Sequence, residues 1–144
     1  MAYVFAAEQL VSADPGALWS VWTDPDRFPE WDPREERTTL HGPFAVGSTI
    51  DSKQRGNPGG SATITAVEPR SSWTLETPLT GGRLVIDHEI ELGSAGFTVR
   101  KRYAAYGPLS VLFRLYYGPR VRAALPASFA ALAAEAHRRD DGGR

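Results

Sequence analysis

The chain has 144 residues, of which 42% are hydrophobic and 23% charged, a length and mixture that fit one globular domain with its own core. Sixteen lysines and arginines against 17 aspartates and glutamates leave a net charge of −1, so no global field gathers nucleic acid or acidic membrane, and any polyanion binding has to be local. With no cysteine, disulfides, a thiolate nucleophile, a cysteine zinc site and an iron–sulfur cluster are excluded.

No apolar run approaches the ~18 residues that span a bilayer, and Met1 to Phe5 carry no basic leader, so a cytoplasmic protein is expected. Residues 3–12 alternate as a first strand. Asp14-Pro15 then supplies an N-cap followed by proline at the first helical position, and Leu18, Trp19 and Trp22 put an aromatic stripe on one side of the short helix that starts there. Asp24-Pro25 repeats the signal, and Pro29 and Pro33, which remove backbone donors around Glu30-Trp31-Asp32, keep the second helix short. From about residue 34 to 105 the chain reads as strands of five to ten residues separated by turn clusters at His41-Gly42-Pro43, Gly56 to Gly60, Glu68-Pro69-Arg70 and Gly81-Gly82, an antiparallel meander. Pro108 to about Arg138 is rich in alanine and leucine, with Leu109, Leu112, Phe113, Tyr116, Leu125, Phe129 and Leu132 near helical spacing. It reads as one long helix bent near Gly118-Pro119. The closing HRRDDGGR from His137 has nothing apolar to bury and reads as a frayed tail, which gives a single domain over 1–138 and a disordered 139–144. The order of strand, two short helices, six strands and long helix means that a curved sheet covers one helix, an α+β arrangement.

Ala13-Asp14-Pro15-Gly16-Ala17-Leu18-Trp19, followed by Thr23-Asp24-Pro25-Asp26-Arg27-Phe28-Pro29-Glu30-Trp31-Asp32-Pro33, resembles the opening signature of the START-like (SRPBCC) superfamily, in particular its polyketide cyclase/dehydrase-like branch. Gly42 to Ser48 before a strand and the Tyr106-Gly107-Pro108-Leu109 entry to the last helix agree with it. The resemblance covers residues 3–137 and implies the helix-grip fold, a seven-stranded antiparallel sheet wrapped around the C-terminal helix with an apolar cavity between them. Relatives of this kind bind lipids, sterols or hormones, cyclise polyketides, bind quinones or activate chaperone ATPases, and no universal catalytic motif carries over.

Residues 83–105 are the most informative. If Gly93-Ser94-Ala95-Gly96 closes a hairpin, Leu92 faces Phe97, Ile90 faces Val99, His88 faces Lys101 and Ile86 faces Tyr103 on one side. Asp87 then meets Arg102 and Glu89 meets Arg100 on the other, and a slip of one residue would break both charge pairs. The inner face is apolar except at the His88–Lys101 rung, where desolvation and like charge lower both pKa values. A neutral His88 suits a general base, Tyr103 a proton carrier, and Lys101 a cation for an enolate oxygen. The plainer alternative has His88 hydrogen-bonded locally and the Lys101 stem threading out to solvent. In the preceding hairpin, Val67 opposite Ser72 brings Ala66 to Trp73 and Ile64 to Leu75, with Trp73 inward. Tyr116, sharing a face with Leu112 and Phe113, is expected inside, and Arg114 and Tyr117 outside. The expected cavity wall is therefore Ile64, Trp73, Leu75, Ile86, Ile90, Val99, Leu112, Phe113 and Tyr116.

His41, His88 and His137 are too scattered for a metal motif, the Gly56–Gly60 run is neither a Rossmann nor a P-loop pattern, and Arg100-Lys101-Arg102 alternates across a strand. No metal or organic cofactor and no nucleic-acid or membrane partner is expected. The sequence points to an internal site for a hydrophobic, aromatic or polyketide-like molecule, with or without acid–base cyclisation. The alternatives are a non-enzymatic carrier or sensor of a lipid or hydrophobic metabolite, and a protein-interaction module.

Overall fold

Asp14 begins the first helix as its sequence requires: the carboxylate accepts from the Ala17 N–H at 3.1 Å and Pro15 occupies the first turn. In the computed structural model, which describes residues 1–142, the chain runs β1 (Ala2–Val11), α1 (Pro15–Trp22), a 3₁₀ turn (Pro25–Arg27) and α2 (Phe28–Trp31). It continues through β2 (Glu35–His41), β3 (Thr49–Gln54), β4 (Gly60–Glu68), β5 (Ser72–Leu79), β6 (Gly82–Gly93) and β7 (Gly96–Tyr106). The C-terminal helix follows as α3 (Ser110–Leu112), a π-type turn (Phe113–Tyr117) and α4 (Gly118–Gly142). The expected second cap is not made. Asp24 has no capping bond, and its carboxylate pairs instead with Arg27 at 3.7 Å and Arg139 at 3.3 Å.

All pairings are antiparallel in one seven-stranded sheet of order β1-β7-β6-β5-β4-β3-β2. The sheet curls around α4, whose Val121, Leu125, Phe129, Leu132 and Ala136 form a buried stripe at helical spacing. This is the helix-grip fold. The β6–β7 register matches the sequence reading rung for rung, and on the outer face Arg100 reaches Glu89 and Glu8 at 2.8 Å and Glu91 at 3.1 Å.

One expectation fails because a strand bulges. Ile64 faces Leu75 as read, but a bulge between Ile64 and Ala66 puts Ala66 opposite Thr74 and Val67 opposite Trp73, so that Val67 packs on the core and Ala66 is exposed. At the other end, the tail is helical through Gly142. Arg139 is held by Asp24 and by Glu135 at 3.8 Å, since a charged side chain needs a counter-charge rather than an apolar surface to be kept in place. Gly143 and Arg144 lie outside the described residues. Among the described residues, no helix is long and apolar enough to cross a membrane.

The break expected near Gly118-Pro119 takes the form of the π turn. The Gly118 N–H donates to the Phe113 carbonyl, five residues back, so one extra residue is absorbed just before a proline that has no N–H to give. A Cβ on Gly118 would stand 2.5 Å from the Phe113 oxygen and 2.7 Å from Tyr3 Cε2. Gly118→Ala should therefore destabilise the protein by about 1–3 kcal/mol in urea unfolding despite alanine's better helix propensity. A neutral or stabilising result would show that the turn is not held in place by Tyr3.

Candidate functional site

The concave face is divided in two. In one half, Ile50, Ala62, Ile64, Trp73, His88, Ile90 and Val99 are buried against α1 and α4. In the other, Leu75, Thr77, Leu84, Ile86, Lys101, Ser52 and Gln54 point inward yet remain partly uncovered.

His88 belongs to the sealed half. Its ring stacks on Trp73 at 3.8 Å with an interplanar angle of 10°, and Trp22 meets it edge-on at 5.5 Å. The Trp73 carbonyl can only accept, so Nδ1–H donates to it at 3.2 Å and the ring is the neutral Nδ1–H tautomer. Burial first, then the charge of Lys101, hold its pKa well below 6.5. Lys101, on the same rung, is only half-buried.

The open half has a polar rim, of which sequence reading found Tyr103 and missed Arg34, Glu35, Ser52 and Gln54. Tyr103, buried and stacked on Phe5 at 4.9 Å, accepts at its hydroxyl from Arg34 Nη1 at 3.5 Å. Glu35, only 7% exposed, accepts at both carboxylate oxygens from Gln54 Nε2, at 3.2 and 3.0 Å, and Gln54 also donates to Ser52 Oγ at 3.3 Å. Burial pushes the Glu35 carboxyl up, and Lys101 only partly offsets this. Asp32 Oδ1 accepts from the Arg34 N–H at 3.0 Å and from Ser128 Oγ at 2.8 Å, tying this corner to α4. Strict alternation back from the inward Leu40 and Thr38 would turn Glu36 inward. A bulge between Glu35 and Arg37 turns Glu35 inward instead, and Glu36 pairs with Lys53 at 2.7 Å.

The structure therefore brings Lys101, Tyr103, Leu75 and Ile86 to one wall, and packs Ile64, Trp73, Ile90 and Val99 as core. Leu112 and Tyr116 are each 42% exposed. For Tyr116 the π turn is the reason: it changes the helical spacing, so Phe113 pairs with Tyr117 at 5.4 Å and Tyr116 lies under the Arg120 guanidinium at 3.7 Å. Tyr117 is thus the more buried of the two tyrosines, the reverse of the expectation, while Arg114 lies on the surface as expected.

No family model and no curated protein matches the chain. Solved structures do. The di-domain ARO/CYC StfQ from the steffimycin biosynthetic pathway superposes with a TM-score of 0.78 at 14% identity over 98% of this chain and 52% of that one, so the chain spans about half of that protein's length. The fold is the same. Norcoclaurine synthase from Thalictrum flavum, as a point mutant with a transition state analogue, gives 0.71 at 16% identity over 97% of both chains. Protein MLL2253 from Mesorhizobium loti gives 0.70 at 20% identity over 94% of this chain and 98% of that one. The resemblance read from the opening motif is thereby borne out at the level of fold.

The buried imidazole has a measurable consequence. Unfolded, His88 takes up a proton below about 6.5; folded, it does not, so its contribution is fully present above that pH and lost as pH falls. The limiting slope is about 1.4 kcal/mol per pH unit. His88→Phe keeps an aromatic ring in the stack and should flatten the stability profile between pH 7 and 5. Glu35 acts in the opposite sense above its ordinary range, losing stability as pH rises, but does so in both proteins and cancels in the comparison. Parallel profiles would show that His88 is not the titrating group.

Proposed function

We propose that the open half of the concavity binds a hydrophobic small molecule, aromatic or polyketide-like, and that the acid–base groups on its wall cyclise it. The observation that carries this reading is the set of inward side chains, Leu75, Ile86 and Lys101, left partly uncovered beside a fully sealed half. An apolar wall with a few converging polar groups is what small-molecule sites consist of. Similarity of fold to an ARO/CYC protein and to norcoclaurine synthase supports the same reading.

In the catalytic step, the Glu35 carboxylate takes a proton from a methylene between two carbonyls, its basicity raised by burial. The Lys101 ammonium and the Tyr103 hydroxyl hold the enolate oxygen. The carbanion carbon then bonds to a second carbonyl carbon of the same chain, which closes the ring, and the new alkoxide recovers the proton from Glu35; in the dehydration that follows, Glu35 takes the remaining α-proton and returns it to the departing hydroxide, which leaves as water. No oxidant or reductant is consumed. His88, with Trp73 on one face and Trp22 at its edge, is assigned to the core.

1,8-Dihydroxyanthraquinone is a suitable probe. It should raise the melting temperature of the wild-type protein, and Ile86→Trp, which fills the open half, should weaken its binding at least tenfold. Absence of a shift, or equal binding by the variant, would overturn the site. With a poly-β-keto thioester, the wild type should release cyclised product and Glu35→Gln should lose about 100-fold or more in rate while retaining the anthraquinone. Binding without turnover would leave a carrier.

Lys101→Met separates binding from packing. Removing a partly desolvated ammonium should keep or raise stability while weakening a phenolic ligand by about 1.5–3 kcal/mol, the value of a charge-assisted contact. Stability and affinity falling together, or neither moving, would remove Lys101 from the site.

A further inference from the structure

Outside the concavity, the Pro33–Arg34 corner, the tip of the β3–β4 turn and α4 enclose a cleft of about 330 Å³ lined by Pro33, Arg34, Arg55, Asn57, Arg120 and Val121, with Ala124 and Ala127 leaving room on the helix. That volume is at the lower end of the range of small-molecule sites, about 300–1,000 Å³. Its charge is one-sided. Arg55 gives its Nε–H to the Pro33 carbonyl at 2.8 Å and has only a distant contact with Glu36, at 4.0 Å, while Glu36 is engaged by Lys53 at 2.7 Å. Arg120 donates to the Tyr116 carbonyl at 2.9 Å and lies on the Tyr116 ring. Arg34, held at its inner end by the Tyr103 hydroxyl, makes no close ion pair among the described residues. The nearby carboxylates are turned to other partners, Asp32 to Ser128 and Glu35 to Gln54.

Arg34 is half-buried without a close carboxylate, which is costly, while Arg55 and Arg120 stand exposed at the rim, so an incoming anion relieves the cost at Arg34 and receives fork-shaped, bidentate donors from all three. We propose that this cleft is an anion subsite, in which Arg34, Arg55 and Arg120 take the carboxylate or phosphate end of the molecule whose apolar body fills the open half of the concavity. Arg34 is the link, since it lines the cleft and touches Tyr103 of the concave wall. This subsite rests on the binding reading above and narrows its ligand class to amphipathic acids.

The test uses three probes of one shape: 1-naphthol, 1-naphthoic acid and 1-naphthyl phosphate, titrated by calorimetry into the full chain at low and moderate salt. At least one acidic probe should bind ten or more times tighter than the neutral one. Inorganic phosphate should compete with that probe and not with 1-naphthol. In the double variant Arg55→Gln/Arg120→Gln the advantage should collapse to about twofold or less while 1-naphthol binds as before, which also shows that the variant is folded. Preference for the phosphate identifies a phosphoryl end, and preference for the acid a carboxylate. Equal binding of all three probes, or an advantage that survives the double variant, overturns the subsite and leaves the concavity intact. If 1-naphthol fails to bind while the acidic probe binds and is competed by phosphate, the cleft is an anion site but the concavity does not hold the ligand's body. Failure of all three overturns both.

Discussion

An uncharged imidazole packed against two indoles determines how the inside of this protein is divided. The Trp73–His88–Trp22 cluster joins β5, β6 and α1, and aromatic rings are the largest apolar surfaces a small core can bury. Because no carboxylate among the described residues is bonded to His88 and Lys101 sits on the next strand, protonation there is opposed by both burial and like charge. The cluster consequently remains apolar in effect and closes its half of the concavity. Polar side chains begin at that rung, where Lys101 remains half-buried, and continue with Tyr103 two residues on. The boundary between core and site therefore runs through one cross-strand pair.

The curl of the sheet supplies the other wall. β2 lies at one edge and β7 next to the opposite edge, yet Arg34 reaches Tyr103 across 69 residues of sequence, and Lys101 acts electrostatically on Glu35. Such groups are poor choices for stability alone: desolvation of a charged pair often exceeds its attraction, and an apolar filling of similar volume is commonly as stable or more so. A helix-grip domain that had only to fold could close both halves as it closes the His88 half. Keeping Glu35, Lys101, Tyr103 and Arg34 together in the half that is left open makes sense for a site that must meet polar atoms on an otherwise apolar molecule.

What could be read from the sequence follows from which periodicities the chain keeps. The β6–β7 register was legible because period-two alternation and two outer-face charge pairs gave the same answer, and both halves of that signal are local. Asp14-Pro15 was legible because a cap needs only its own turn. Glu35 was not, since alternation through Thr38 and Leu40 turns Glu36 inward, and only the bulge between Glu35 and Arg37 exchanges the two. The same failure moved Val67 to the core in place of Ala66. Tyr116 and Tyr117 were exchanged by the π turn, a helical counterpart of the bulge, which forms where Gly118 meets Tyr3 just before Pro119. The division of the concavity depends on contacts among β5, β6, α1 and α4 that no single segment encodes.

The C-terminal helix reconciles these demands by differing along its length. Leu125, Phe129, Leu132 and Ala136 bury its later turns, and Arg139 with Asp24 and Glu135 fixes its end. Its beginning is less covered. Leu115 is 72% exposed, Tyr116 is held by stacking under Arg120, and the π turn replaces regular hydrogen bonding. Segments with few buried apolar contacts and irregular backbone bonding open at lower free energy than the core. The start of the helix is therefore held less firmly than its later turns, which pack with the rest of the core. The glycine–proline pair marks the division between the two ends, because the π turn ends at Gly118 and the regular helix begins there.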